Sequence, residues 1–441
     1  MPESHPTSAI PLHLGPSETG TEANSPQLIA DPVSYFTSGY RTHGPIFGTR
    51  YRGEDWVTIA GIDANDFFWQ NTTDWSYAQA GKGFRNQFGP TYVTQLDGAP
   101  HLRSRRLLKG GFSAEAVGRF VTTMSEEAAR FLERRSDWGT DASVWLPGLL
   151  LSLNKSTLLM TEMTQEEMLE AIRLEGELIY GVGVSANPSA HFGRPGYAER
   201  KSRIFALVER ELDARACGKR APDNLQGLLE QDIGTLEPMS REELLNTGYM
   251  LLVAGIHNTA KLLVRTLERL SLDPGWTDEL RSELGGYTPE SFGRGLGAYP
   301  KLKATIFEAE RLHPGATFLK RRPLRDLEFE GRIIKAGVGV LQAHTLPHFL
   351  PESYPDPMAF APRRWIQGDA PPRKALVDFG GGSHVCLGLN LTRIQLPIVL
   401  AAILTRYDLA LGYTPAFQLR VDPGVEMTDH PEPISLTARS P

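Results

Sequence analysis

Phe379-Gly-Gly-Gly-Ser-His-Val-Cys386-Leu-Gly388 is the stretch whose reading decides the fold. One cysteine sits in a glycine-rich bend, and an apolar helical pattern runs on from it to about Arg406. Cysteine acts as nucleophile or metal ligand in its thiolate form. Backbone N–H groups turned toward the sulfur lower its pKa and tune its donor strength. Gly380, Gly381, Gly382 and Gly388 permit the tight, partly left-handed backbone that such a loop needs. The spacing F-x-x-G-x-H-x-C-x-G sets this loop apart from a buried structural cysteine in a glycine turn.

The rest of the chain bounds what the loop can belong to. At 441 residues, 41% hydrophobic and 22% charged, the composition is that of a globular protein with a large core. A formal net charge of −6 argues against a general nucleic-acid binder. Two cysteines, Cys217 and Cys386, cannot build a disulfide framework and suit a reducing compartment. No apolar run is long enough to predict a membrane span. Met1 to about Pro26 is rich in Pro, Ser, Thr and Glu and lacks the pattern of a signal peptide. These features predict a cytoplasmic protein, with residues 1–26 a flexible lead-in and 27–441 a single domain.

Helical patterns dominate. Ser240-Arg-Glu-Glu243 fits a capping box, and apolar residues then run from Leu244 to about Leu270. With its cap this predicts one helix about 45 Å long, buried through the centre of the protein. A helix from Pro300 to about Leu312 stops before Pro314. Strand-like pieces over 51–60, 327–331 and 338–343 predict small sheets, and a Pro-rich irregular stretch leads to the cysteine loop. The expected class is mainly α with small β-sheets (α+β).

The cysteine loop resembles that of the cytochrome P450 family, whose pattern is Phe, two residues, Gly, one, His or Arg, one, Cys, one, Gly. The resemblance continues through most of the chain. It implies a P450-like fold in which the long central helix passes over haem b, with Cys386 as the iron ligand and Phe379 and Gly388 beside the cofactor. Glu308 and Arg311 in FEAERLHP share one helix face, and Phe360-Ala-Pro-Arg-Arg-Trp365 follows. By the resemblance, Glu308, Arg311 and Arg364 form a structural cluster that locks the cysteine loop, with Arg363 where the family usually has an acid. His101, Arg105, Arg321 and His384 match the family's propionate donors, Arg322 being a competing choice for Arg321.

Ala254-Gly255-Ile256-His257-Asn258-Thr259 departs from the family's Ala/Gly-Gly-x-Asp/Glu-Thr-Thr/Ser. Ala254 and Gly255 keep the oxygen site open. His257 stands for the acid and Asn258 for the alcohol, while Thr259 comes one residue late, about 100° around the helix. Asn258 can hold a water or the substrate's own hydroxyl for proton delivery, but cannot relay a proton as a hydroxyl can. His257 could shuttle protons if it faces water; the alternative is a histidine turned away and bonded in the core.

By analogy with the family's pocket loops, Phe84, Phe88, Tyr92, Phe318 and Met427 would line an apolar pocket for a lipophilic small molecule. The chain ends about fifty residues after Cys386, so electrons are expected from a separate ferredoxin or flavodoxin with its reductase. Arg103, Arg106 and Lys109 would offer that partner a positive face. The function implied is a monooxygenase-type oxidoreductase using O2, in secondary or xenobiotic metabolism. Peroxide-driven, oxidative-coupling and redox-neutral chemistry remain alternatives, as does a non-catalytic haem sensor.

Overall fold

The computed structural model describes residues 9–14, 25–81, 85, 87–183, 188–292, 296–367, 375–413 and 433–439. Eight of its helices frame the site: α1 (Gly98–Phe112), α2 (Ala142–Thr157), α3 (Gln165–Gly183), α4 (Pro195–Ala216), α5 (Arg241–Val253), α6 (Ile256–Leu272), α7 (Pro300–Leu312) and α8 (Leu389–Arg406). Helices α2 and α8 are apolar on almost every side, which only burial tolerates. Trp145, Leu149 and Leu153 of α2 and Val399, Leu400 and Ile403 of α8 are inaccessible to solvent. Helix α2 packs on α5 and α6, and α6 also meets α3, α7 and α8. No helix among the described residues is long and apolar enough to cross a membrane.

Strands β1 (Ile46–Tyr51), β2 (Glu54–Ala60), β3 (Trp75–Ser76) and β4 (Leu319–Pro323) join a fifth in the main sheet. Between lie the short pair β5 (Leu327–Phe329) and β6 (Arg332–Ile334), followed by that fifth strand, β7 (Val340–Ala343). The order is β1-β2-β7-β4-β3, antiparallel throughout except β2 with β7. β8 (Tyr407–Leu411) and β9 (Ile434–Ala438) pair separately. The stretch 51–60, strand-like around a turn, belongs to the β1–β2 hairpin. Arg52 and Gly53 are both left-handed, at φ 55° and 74°, the geometry of a two-residue hairpin turn.

Two expectations are corrected. Part of the N-terminal lead-in is built into the fold: Gly48 N–H donates to the Pro11 carbonyl (2.7 Å) and His13 N–H to the Gly48 carbonyl (3.0 Å). The His13 ring is buried against Tyr35 and Phe47. The long central helix is two helices. Ala254 turns extended (φ −63°, ψ 133°) and Gly255 left-handed (φ 85°), so α6 starts anew at Ile256. The apolar pattern runs straight through the break, which is why periodicity does not reveal it.

Candidate active site

The cysteine loop is held by its own backbone and by the cluster behind it. Cys386 N–H donates to the Phe379 carbonyl at 3.0 Å, closing the bend. Gly382 is left-handed (φ 66°), and a Cβ there would lie 2.7 Å from Thr72 Cγ2, so any side chain is both strained and crowded. Gly388 has ordinary backbone (φ −79°) and leaves open the space beside the sulfur. Helix α8 begins at once, aiming the N–H groups of Gly388 and Leu389 at Sγ. Burial pushes the thiol up. Those two N–H groups and Arg105 pull it down, and Asp378 pushes it up.

Behind the loop, Arg311 and Glu308 are completely buried. Arg311 donates to both Glu308 oxygens at 3.0 and 2.8 Å, and to the carbonyls of His348 (2.8 Å), Pro357 (2.6 Å) and Ala359 (2.9 Å). Arg364 Nε and Trp365 Nε1 donate to Glu308 at 3.1 and 2.8 Å. A buried carboxylate so fully paired is depressed despite the burial that pushes it up. His348, unnoticed in the sequence, links this cluster to the segment entering the cysteine loop. Its Nδ1 lies 3.0 Å from the Arg311 carbonyl and its Nε2 accepts Val377 N–H at 3.0 Å. No periodicity or charge pattern marks it.

Cys386 is exposed, but the space it opens into is an internal cavity of about 450 Å³. One part of its lining gathers two arginines and two histidines. His101 and His384 stack with ring centroids 3.8 Å apart and planes at 12°, and Arg105 and Arg321 line the cavity with them. Burial, and then Arg321, His101 and Arg105, push His384 down to about 2. Burial and Arg105 bring His101 to about 4, and burial brings Arg321 to about 10. Arg321, not Arg322, faces the cavity; Arg322 turns outward to Glu54 at 2.7 Å. His344, which the sequence reading also missed, lines the cavity too, its ring nitrogens buried and without a hydrogen-bond partner among the described residues.

The broken helix lines the cavity as well. Ala254, Gly255, Asn258, Thr259 and Leu262 line the cavity. Thr259, one residue later than the family's alcohol, shares this lining with Asn258. His257 does not: it is buried, and its Nε2 lies 2.7 Å from the Ile172 carbonyl of α3. Burial pushes it down, so it is a neutral core histidine and not a proton shuttle at the cavity.

Of the expected pocket residues, Tyr92 lines the cavity. Phe88 stacks on Tyr92 (4.4 Å) and packs on Tyr249 (5.0 Å) in the helical core, because aromatic area is best satisfied there. Phe318 faces the other side of β4, packing on Phe36 and Tyr51, since alternate residues of a strand point to opposite faces. Phe84 and Met427 lie outside the described residues. Arg103 is taken from the proposed partner face: it pairs with Glu243 at 2.6 Å, while Arg106 and Lys109 are exposed.

Residues 199–436 match the model of the family described as Cytochrome P450. The chain belongs to the cytochrome P450 family. Over 399 residues it is 28% identical to cytochrome P450 139 of Mycobacterium tuberculosis, covering 84% of this chain and 90% of that one. Over 329 residues it is 26% identical to the cyclooctat-9-en-7-ol 5-monooxygenase of Streptomyces melanosporofaciens, covering 71% of each. A cyanobacterial P450 solved with retinoic acid bound shares the fold. Its TM-score is 0.81 at 22% identity, covering 98% of this chain and 100% of that one. This P450 is an oxidoreductase of the monooxygenase family, with haem as its cofactor. The cavity fits that group. A thiol opens into it, and two guanidiniums, Arg105 and Arg321, line it beside the stacked His101 and His384 and near His344, a donor set that suits carboxylates.

Proposed function

We propose that this P450 inserts one oxygen atom of O2 into a lipophilic small molecule, by hydroxylation or a related oxidation, in secondary or xenobiotic metabolism. One observation carries the reading: a single cavity is lined by the Cys386 thiol, by Arg105, Arg321 and the stacked His101 and His384, and by Asn258 and Thr259. Cys386 would hold the iron, and His101, Arg105, Arg321 and His384 the propionates. Haem bound there supplies dioxygen activation. The chain's own task is to orient substrate, exclude bulk water and deliver protons. Asn258 holds a water or a substrate hydroxyl, and the Thr259 hydroxyl beside it both accepts and donates, which completes a relay that Asn258 alone cannot make. Leu150, Leu158, Leu262 and Leu391 give the cavity its apolar surface. The relative named for cyclooctat-9-en-7-ol and the fold neighbour bound to retinoic acid support a lipophilic substrate with few polar groups. Electrons come from a separate ferredoxin or flavodoxin, with Arg106 and Lys109 on its approach.

The test is turnover by haem-loaded protein with NADPH, a ferredoxin and its reductase, under ¹⁸O2, on a panel of terpenoid, polyketide and aromatic compounds that shift the Soret band. Products carrying one labelled oxygen are expected. Oxidation only with added peroxide, or none of any Soret-shifting compound, would refute the reading.

A further inference from the structure

The break between α5 and α6 takes the last carbonyls of α5 away from the N–H groups that an unbroken helix would give them. Leu252 is fully buried there, and a buried carbonyl left without a donor is costly. Its donor comes from a neighbouring helix. Asn154 of α2 is buried, and its Nδ2 donates to the Leu252 carbonyl at 3.0 Å, two residues before the extended Ala254. Asn154 is held in its turn. Gln395 of α8, also buried, donates from Nε2 to Asn154 Oδ1 at 2.8 Å. A carbonyl only accepts, so Leu252 fixes which way the Asn154 amide faces and leaves Oδ1 for Gln395. Asn154 and Gln395 both line the cavity, as Ala254 and Gly255 do. Helix α8 starts at the cysteine loop, so two amides tie that helix, through α2, to the break.

We propose that Asn154, buttressed by Gln395, is a positioning residue for the P450 reaction: by holding the Leu252 carbonyl it fixes the end of α5, and with it the turn at Ala254 and Gly255 that lines the cavity. Its bearing on oxygen chemistry rests on the monooxygenase reading; the restraint on Leu252 does not. Asparagine suits the task because one neutral amide accepts and donates at once, bridging two partners without burying a charge. Leucine at 154 keeps the volume and removes both bonds. Methionine at 395 keeps the length and removes the donor.

The experiment is carbonyl NMR on the full haem-loaded chain in its ferrous CO complex, with CO rebinding after flash photolysis as the second readout. Labelling with carbonyl-¹³C leucine and ¹⁵N valine selects Leu–Val peptide bonds, among them Leu252–Val253 and, as a control inside α6, Leu263–Val264. In Asn154→Leu the Leu252 carbonyl resonance should move upfield, as a carbonyl does on losing a donor, while Leu263 keeps the parent position. CO rebinding should change by about twofold or more in the same variant. Gln395→Met leaves Asn154 in place without its buttress, so it should move both readouts in the same direction and by less. An unmoved Leu252 carbonyl in Asn154→Leu, an equal move at Leu263, or parent-like rebinding would overturn the proposal. If Asn154→Leu does not fold, Gln395→Met carries the test: an upfield move at Leu252 alone supports it, and a parent-like resonance overturns it. Neither readout needs a substrate. A chain that oxidises nothing can still pass, and an active monooxygenase with an unmoved Leu252 carbonyl would sink this inference alone.

Discussion

Removing Arg311 should be far more damaging than removing Arg364, although both touch Glu308. Arg311 has no solvent-accessible surface, and its guanidinium fills both Glu308 oxygens and three backbone carbonyls. In Arg311→Met the carboxylate loses its principal countercharge, a break that costs about 3–5 kcal/mol in buried pairs. Each carbonyl left unfilled adds about 1–3 kcal/mol. Together these rival the whole stability of a folded domain, about 5–15 kcal/mol. Arg364 is 15% exposed, so water can replace much of what it gives. In Arg364→Met, Glu308 keeps Arg311, Trp365 and the Ala361 N–H, and the loss should be about 1–2 kcal/mol. Urea denaturation followed by near-UV circular dichroism, with the reduced carbonyl spectrum, checks this. Arg364→Met should fold with a lowered midpoint and keep the red-shifted band of a sulfur-ligated porphyrin. Arg311→Met should lose that band, because the cluster anchors the loop through His348 and Val377. Equal midpoints for the two variants would refute the reasoning.

Burial holds the Glu175 carboxyl at about 7, above its ordinary 4.5. Between these values the folded state binds more protons than the unfolded, so this group makes stability fall as pH rises, with the full penalty above pH 7. Glu175→Gln should therefore gain on the parent by up to about 3 kcal/mol at pH 8 and nothing at pH 4, measured by urea melts across that range. Gly382→Ala must place a side chain in a left-handed residue and against Thr72, so its purified protein should retain under half the parent's haem, read from the Soret-to-protein absorbance ratio. Arg321→Leu should speed haem transfer to an acceptor globin about tenfold or more. Arg322→Leu, whose partners are Glu54, the Gly337 carbonyl and the Trp56 ring, none of them in the cavity lining, should leave that rate unchanged. Arg106→Glu should slow reduction by a ferredoxin at low salt and converge on the parent at high salt, in stopped-flow traces.

Much of this molecule is legible from local pattern. The cysteine loop, the Glu308–Arg311 pair and the helices ending at Leu312 and Arg406 are written in consecutive residues, where spacing fixes which side chains share a face. Turn chemistry and capping are equally local, so the Ser240–Glu243 box forms as the sequence implies. The direction of single side chains is another matter. His257 and Asn258 are neighbours in the chain, yet one is sealed against α3 while the other lines the cavity. That choice follows from the break at Ala254 and Gly255, which an unbroken apolar pattern conceals. Phe88 and Phe318 went to the core and not to the cavity for a similar reason, since aromatic rings serve both equally well and only the surrounding elements decide.

The sequence by itself determined the class of chemistry, because a thiolate loop with its glycines and backing arginine is a short-range object. Tertiary structure alone decided which arginines and histidines gather around the cavity, that Arg321 and not Arg322 turns inward, and that Glu175 meets Tyr249 from 74 residues away. Those contacts depend on the packing of α3 against α5 and α6 and on the face each strand residue takes, and no local spacing encodes either.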